Sequence, residues 1–164
     1  MRYAQMRKFD IANGPGIRAT LFVSGCTHRC PNCFNEAYQD FAYGTVWNEE
    51  AEETFMAYIK DANVKGVTIL GGEPLQQDTD LLRLLVRIKQ ETNKSIWLFT
   101  GYTYEVILED EIKREVIKQC DVLVDGPFIE AQKNLNLRFR GSSNQRLIDV
   151  PASLKANKVI LYDV

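Results

Sequence analysis

Several things are missing from this sequence, and each absence excludes something. No stretch is long enough and apolar enough to span a bilayer. The opening residues MRYAQMRKFDIANG carry positive charge but no apolar core, so they do not read as a secretory signal. Lys and Arg number 20 against 22 Asp and Glu, a formal charge of −2. That leaves no basic excess to displace counterions from phosphates, which argues against nucleic acid as a partner. No repeat, low-complexity run or Pro/Ser-rich linker interrupts the chain. The expectation is a cytoplasmic protein with no membrane partner. In a reducing compartment, clustered cysteines serve as metal ligands or redox groups more often than as disulfides.

What is present suits a single globular domain over residues 1–164: hydrophobic residues are 45% of the chain and charged residues 26%. Five segments read as buried strands: 17–25 (IRATLFVSG), 66–72 (GVTILGG), 95–101 (SIWLFTG), 120–126 (CDVLVDG) and 157–163 (NKVILYD). Each is a short run of Val, Ile, Leu, Phe or Trp bounded by Gly, Asp or Asn. Near-continuous apolarity fits strands covered on both faces, as in a parallel sheet. Helical patterns lie between them. Residues 49–62 follow Asn48, a plausible N-cap, and place Glu49 and Glu50 where the helix dipole favours acids. Residues 79–92 repeat Leu81, Leu84, Leu85 and Ile88 at helical spacing, and 104–119 form a weaker third pattern. The acidic run EEAEE reads as a solvated helix face. The alternation predicts α/β architecture built from βαβ units. The chain is too short for the ~250 residues of a closed eight-stranded barrel. The expected fold is a partial (β/α) barrel: an open, curved, mostly parallel sheet of about five or six strands.

Four consecutive predicted strands end in unusual residues: SGC, LGGEP, FTGY and VDGPF. In α/β folds ligands bind at the C-terminal ends of strands. The loop SGCTHRCPNCFN, residues 24–35, follows the first of them and holds Cys26, Cys30 and Cys33. Pro31 and Gly25 argue against a continuous helix there, so the thiols sit on a loop facing a pocket shared with the glycine turns. Structural zinc takes four ligands, with His28 and Cys120 the candidates for the fourth. His28 is cramped between two of the cysteines and reads as an exposed loop residue. Cys120 opens an apolar strand and reads as core. The third alternative is an iron–sulfur cubane, in which three thiolates leave one iron open to a chelating molecule. GPGIRA, residues 14–19, matches a dinucleotide fingerprint but opens a strand rather than a helix, which rules that reading out. It reads as a turn.

The pattern C-x3-C-x2-C in CTHRCPNC resembles the cluster motif of radical S-adenosylmethionine (radical SAM) enzymes, and GGEP, 71–74, resembles their second motif. NGPGIR (13–18), LFVSGC (21–26), CFN (33–35), GGEPL (71–75), TGY (100–102), VDGPF (124–128) and RGSSNQR (140–146) resemble, in order and spacing, the branch that activates anaerobic ribonucleoside-triphosphate reductases. The resemblance runs along nearly the whole chain. It implies a 4Fe-4S cluster on Cys26, Cys30 and Cys33 and an open iron that takes the amino and carboxylate groups of S-adenosyl-L-methionine. Reductive cleavage of that cofactor would generate a glycyl radical on the reductase partner, with a flavodoxin-like electron donor. Gly71, Gly72 and Glu73 would meet the methionine ammonium. Asn32, Cys33 and Phe34 would lie against the adenosine. Many such enzymes place an aromatic just before the last cysteine, where this chain has Asn32. Thr100 and Gly101 would line the pocket. Left open are the assembly, including a homodimer, and the roles of Arg18, Arg138, Arg140 and Arg146. Arg18 reads as a surface charge or a partner contact. Other small radical SAM enzymes, the pyruvate formate-lyase activating type among them, and a non-catalytic zinc-binding module remain as alternatives.

Overall fold

A computed structural model describes residues 1–163. The chain runs through β1 (Arg2–Asp10), β2 (Arg18–Val23), β3 (Thr45–Val46), α1 (Glu49–Lys60), β4 (Gly66–Gly71), α2 (Asp78–Glu91), β5 (Ser95–Phe99), α3 (Tyr104–Ile107), α4 (Glu111–Lys118), β6 (Val122–Asp125), β7 (Arg146–Asp149) and α5 (Val150–Ala156). The strands form one open sheet of seven, ordered β3-β1-β2-β4-β5-β6-β7. Its centre, β2, β4, β5 and β6, is parallel, as the βαβ pattern requires. Antiparallel β1 and β7 flank that centre, and β3 adds two residues beyond β1. Among the described residues, no helix is long and apolar enough to cross a membrane.

Alternation along the strands sorts the two faces. Leu21, Val23, Ile69, Ile96, Leu98 and Leu123 point to one side, where they pack with Phe55 and Ile59 of α1, Leu84 and Ile88 of α2, and Ile117 of α4. This is the main core. The other side carries Phe22, Leu70, Trp97, Phe99, Val122 and Val124, interspersed with the buried polar residues Thr20 and Thr68. Chain connections rather than helices cover it. Trp97 meets Phe139 at 5.4 Å and Tyr162 at 5.3 Å, both edge-to-face.

The helices form where the sequence caps them. Asn48 accepts from the Ala51 backbone N–H at 2.8 Å and starts α1. The pattern over 104–119 splits into α3 and α4 because Asp110 accepts from Lys113 N at 2.9 Å and restarts the helix. One expected strand needs correction. Residues 157–163 are not a strand of the parallel sheet. α5 is only seven residues long and ends on Asn157 at φ 55°, too short a connection for a parallel crossover. The tail therefore doubles back along β7, held by one antiparallel bridge between Ile148 and Leu161. Arg2–Asp10, for which the sequence suggests no element, form a full strand that the mixture of charges in RYAQMRKFD conceals.

Arg18 is also not a surface charge. It is 1% exposed, beneath the loop between β1 and β2. Its Nε donates to Thr68 Oγ1 at 2.9 Å, Nη1 to the Pro15 carbonyl at 3.0 Å, and Nη2 to the Val67 and Ser95 carbonyls at 2.9 and 3.0 Å. Burial lowers its pKa to about 10, with the Tyr162, Asp121 and Asp10 charges pulling the other way. Asp10 fastens the same loop by accepting from Ala12 N at 2.9 Å, Asn13 Nδ2 at 2.8 Å and Thr20 Oγ1 at 2.8 Å.

Replacing Arg18 with Met strands the Val67 and Ser95 carbonyls in the interior. Urea unfolding should report a loss of about 3 kcal/mol at unchanged slope; a loss under 1 kcal/mol would show that the guanidinium is not holding this layer. For Asp10, burial pushes the carboxyl up, but bonds from Ala12, Asn13 and Thr20 and the Arg7 charge outweigh it and leave the pKa below its ordinary 3.8. Folding thus favours the charged form, and the stability gained is present above the ordinary value and lost as pH falls through the lowered one. Asp10→Asn should therefore lose less stability than the parent between pH ~5 and pH ~2. Parallel stability curves would remove Asp10 from that role.

Candidate functional site

The register of the sheet builds the site. Val23 of β2 lies level with Gly71 of β4, so the two strands run out of sheet together. Their ladder continues past the last paired residues: Gly72 N donates to the Val23 carbonyl at 2.9 Å and Glu73 N to the Gly25 carbonyl at 2.7 Å. This sets the turn Gly71–Pro74 against the start of the cysteine loop. The approach demands glycine. A side chain at Gly72 would place its first carbon 2.5 Å from the Gly25 carbonyl oxygen and 2.7 Å from that of Tyr38, and Gly71 has φ +130°. Asn35, just beyond the last cysteine of the loop, donates through Nδ2 to the Gly71 carbonyl at 3.3 Å.

A cavity of about 520 Å³ opens at these strand ends, within the range of small-molecule sites. Cys26, Cys30 and Cys33 all line it, and all three are free thiols of intermediate exposure. So do Gly71, Gly72 and Glu73 from the end of β4, Thr100 and Gly101 from the end of β5, and Phe34. Phe22, Leu70, Phe99 and Val124 form its apolar floor. Phe34 packs on Phe128 at 4.8 Å, with Lys133 Nζ 5.3 Å from its ring centre. Asn32 is placed differently from the other residues singled out in the sequence. It is exposed, at φ 56°, and its side-chain amide donates to Glu130 in the connection between β6 and β7.

The donor set fits a cubane. Three thiols converge on one cavity, while the fourth cysteine lies elsewhere. Cys120 is 1% exposed in the main core, its Sγ 3.6 Å from the Val116 carbonyl, and burial pushes its thiol far up. Among the described residues no three His, Cys, Asp or Glu side chains draw close enough to hold one metal ion. A cubane asks for less convergence, because each thiolate binds a different iron. Burial pushes the Cys26 thiol up, as do Glu73, Cys30 and Cys33, while the backbone hydrogen bond from His28 lowers it. A cation that takes these sulfurs as thiolates relieves that cost.

His28 is not an exposed loop residue. Its Nε2 lies 2.6 Å from Glu73 Oε1, and its ring meets Tyr102 edge-to-face at 4.5 Å. A carboxylate only accepts, so Nε2 is the donor. Glu73 is 1% exposed and gathers three further partners: Thr100 Oγ1 at 2.9 Å, Gly101 N at 2.7 Å and Leu75 N at 2.9 Å.

The arginines left open by the sequence divide. Arg146 is pinned between Asp125 at 2.6 Å and Glu105 at 2.8 Å. Arg138 lies over Phe139, 4.9 Å from the ring centre. Arg140 lines the cavity and donates to the Gln145 carbonyl. Arg7 lines it from β1, its guanidinium carbon 4.8 Å from the centre of the Phe22 ring. Sequence reading missed Arg7 because it missed the strand; alternation in YAQMRKF is the only signal it leaves.

Comparison with known proteins agrees with this arrangement. A family model described as a 4Fe-4S single cluster domain matches residues 12–148. The curated anaerobic ribonucleoside-triphosphate reductase-activating protein of Vibrio cholerae is 40% identical over 150 residues, 88% of this chain and 96% of its own. Its counterpart in Escherichia coli is 39% identical over the same length, with the same shares covered. An enterobacteria phage protein of the same name is 35% identical over 153 residues, 90% of this chain and 93% of its own. On a cluster-domain match spanning most of the sequence and relatives this similar over nearly all of it, the chain belongs to the family of anaerobic ribonucleoside-triphosphate reductase-activating proteins.

Proposed function

We propose that this protein activates an anaerobic ribonucleoside-triphosphate reductase by radical SAM chemistry, leaving a glycyl radical on the reductase. The observation that carries the reading is one cavity at the strand ends lined by three free thiols, while Cys120 is held on the far side of the sheet. The names of the relatives supply the partner. In this reading the open sheet is the partial barrel of radical SAM enzymes, and Cys26, Cys30 and Cys33 hold a 4Fe-4S cluster. Bound there, the cluster would supply the electron for reductive cleavage of S-adenosylmethionine, the chemistry that would generate the glycyl radical on the reductase.

The chain's own residues bind, orient and exclude water. Gly71 and Gly72 bring backbone polar groups to the methionine ammonium, and Glu73 complements its charge. Arg7 and Arg140 supply the positive charge that a cofactor carboxylate calls for. Cys33 and Phe34 lie along the adenosine, with Asn32 holding the loop to Glu130 beside them. Thr100 and Gly101 close the side next to β5. The apolar floor of Phe22, Leu70, Phe99 and Val124, together with Phe128 and Phe139, keeps a reactive fragment away from water. A flavodoxin-like protein delivers the electron, and the enzyme works in the cytoplasm, as a monomer or homodimer.

Protein purified anaerobically should be brown and carry about four iron and four sulfide per chain. With dithionite it should release 5′-deoxyadenosine, and with the reductase it should produce a glycyl radical signal in electron paramagnetic resonance. Colourless protein holding zinc, or cofactor cleavage that never yields that signal, would sink the reading. Cys30→Ser should abolish 5′-deoxyadenosine formation. Cys120→Ser buries a hydroxyl and should cost stability of about 1–3 kcal/mol while cleavage continues; equal loss of turnover in both variants would make Cys120 a ligand.

A further inference from the structure

The three residues between the first two cysteines are more than a spacer. Thr27 and His28 are sewn to the ends of two neighbouring strands. The Thr27 N–H donates to Gln76 Oε1 at 3.0 Å, and Gln76 Nε2 donates back to Thr27 Oγ1 at 2.7 Å and on to Tyr102 Oη at 2.8 Å. His28 spans the same gap, with its ring on Tyr102 and Nε2 on Glu73. The fit is close: a side chain at Gly101 would place its first carbon 2.6 Å from His28 Cδ2. The chain's only histidine is thus packed between the turn after β4 and the turn after β5.

The geometry points to His28 as a positioning residue that fixes the Glu73 carboxylate relative to the cysteine loop, and so sets where S-adenosylmethionine lies against the cluster. The inference rests on the radical SAM reading above. Its physical content is a distance constraint. His28 rides on the segment bounded by Cys26 and Cys30. Glu73 belongs to the turn assigned to the methionine ammonium. A hydrogen bond of 2.6 Å between them leaves little freedom for one to move without the other. Glu73 keeps its bonds to Thr100, Gly101 and Leu75 without His28, so losing the imidazole would not release the turn from β5. It would loosen the cysteine loop beyond Thr27, leaving the bonds of Gly25 to Glu73 and of Thr27 to Gln76 to hold only its first residues against that turn. The expected defect is therefore in cofactor affinity and alignment rather than in cluster content.

The test uses the reconstituted enzyme and three variants, His28→Ala, His28→Gln and His28→Asn. Glutamine places its amide nitrogen near the position of Nε2 and can donate to Glu73; asparagine is too short. Iron and sulfide content should match the parent in all three. Equilibrium dialysis of oxidised enzyme against S-adenosylmethionine should show affinity about tenfold weaker for the Ala and Asn variants and within about threefold of the parent for Gln. The change that S-adenosylmethionine induces in the paramagnetic resonance spectrum of the reduced cluster should be reduced in step. If His28→Ala fails to fold, the Gln and Asn pair, both polar, still decides the question through the reach of the donor. Parent-like affinity in all variants, equal loss in Gln and Asn, or loss of iron in either would overturn the assignment. A parent protein that assembles no cluster or binds no S-adenosylmethionine would instead sink the functional reading itself.

Discussion

The Glu73 carboxylate is the joint on which the site turns. It is almost fully buried and collects donors from the cysteine loop, from β5 through Thr100 and Gly101, and from its own turn through Leu75. Burying a carboxylate costs several kcal/mol unless its lone pairs are filled. Here both oxygens are engaged, so burial becomes rigidity: three backbone segments that are distant in sequence share one acceptor. The backbone bond from Glu73 N to the Gly25 carbonyl fixes the same residue from its other end. With its main chain tied to β2 and its side chain to β5, Glu73 bridges the strands on either side of β4.

That joint depends on the register beneath it. Parallel pairing sets β2 and β4 level, and the glycines at 71 and 72 let one turn lie against the other at distances no side chain would permit. The helices all pack on the opposite face, so the cavity side is left to connecting segments. Arg18 and Asp10 organise the first of these, between β1 and β2, and aromatic contacts of Phe139 and Tyr162 with Trp97 anchor the rest. Two of the buried polar residues on this face are tied to the loop that covers it: Thr68 donates to the Asn13 carbonyl and Thr20 to the Asp10 carboxylate.

The sequence shows the parallel centre plainly because strands covered on both sides are nearly all apolar and end in glycine. It shows the edges poorly. β1 mixes polar and apolar residues without a clean buried face, Phe9 being exposed and Asp10 buried, and β7 has only four residues beginning with an arginine. Segment 157–163 has the composition of a core strand, but composition does not record that the preceding helix is too short to return the chain in parallel. At the site, the cysteines, the glycine turn and the end of β5 are legible as motifs at strand ends. What is not legible is pairing across the cavity. His28 looks like a spacer residue and Arg18 like a surface charge because their partners lie 45 and 50 residues away, and no local pattern encodes a partner at that separation.

Antiparallel strands at both ends of the sheet have a topological effect. A ring of parallel strands is entered only through its mouth, and what enters must be small and detached. Here the wall stops at β7 on one side and β3 on the other, and these two edges never meet. A sheet left open in this way has two unjoined sides, and a polypeptide segment still anchored at both ends in a larger body can be laid against it, whereas it can never be threaded through a closed ring.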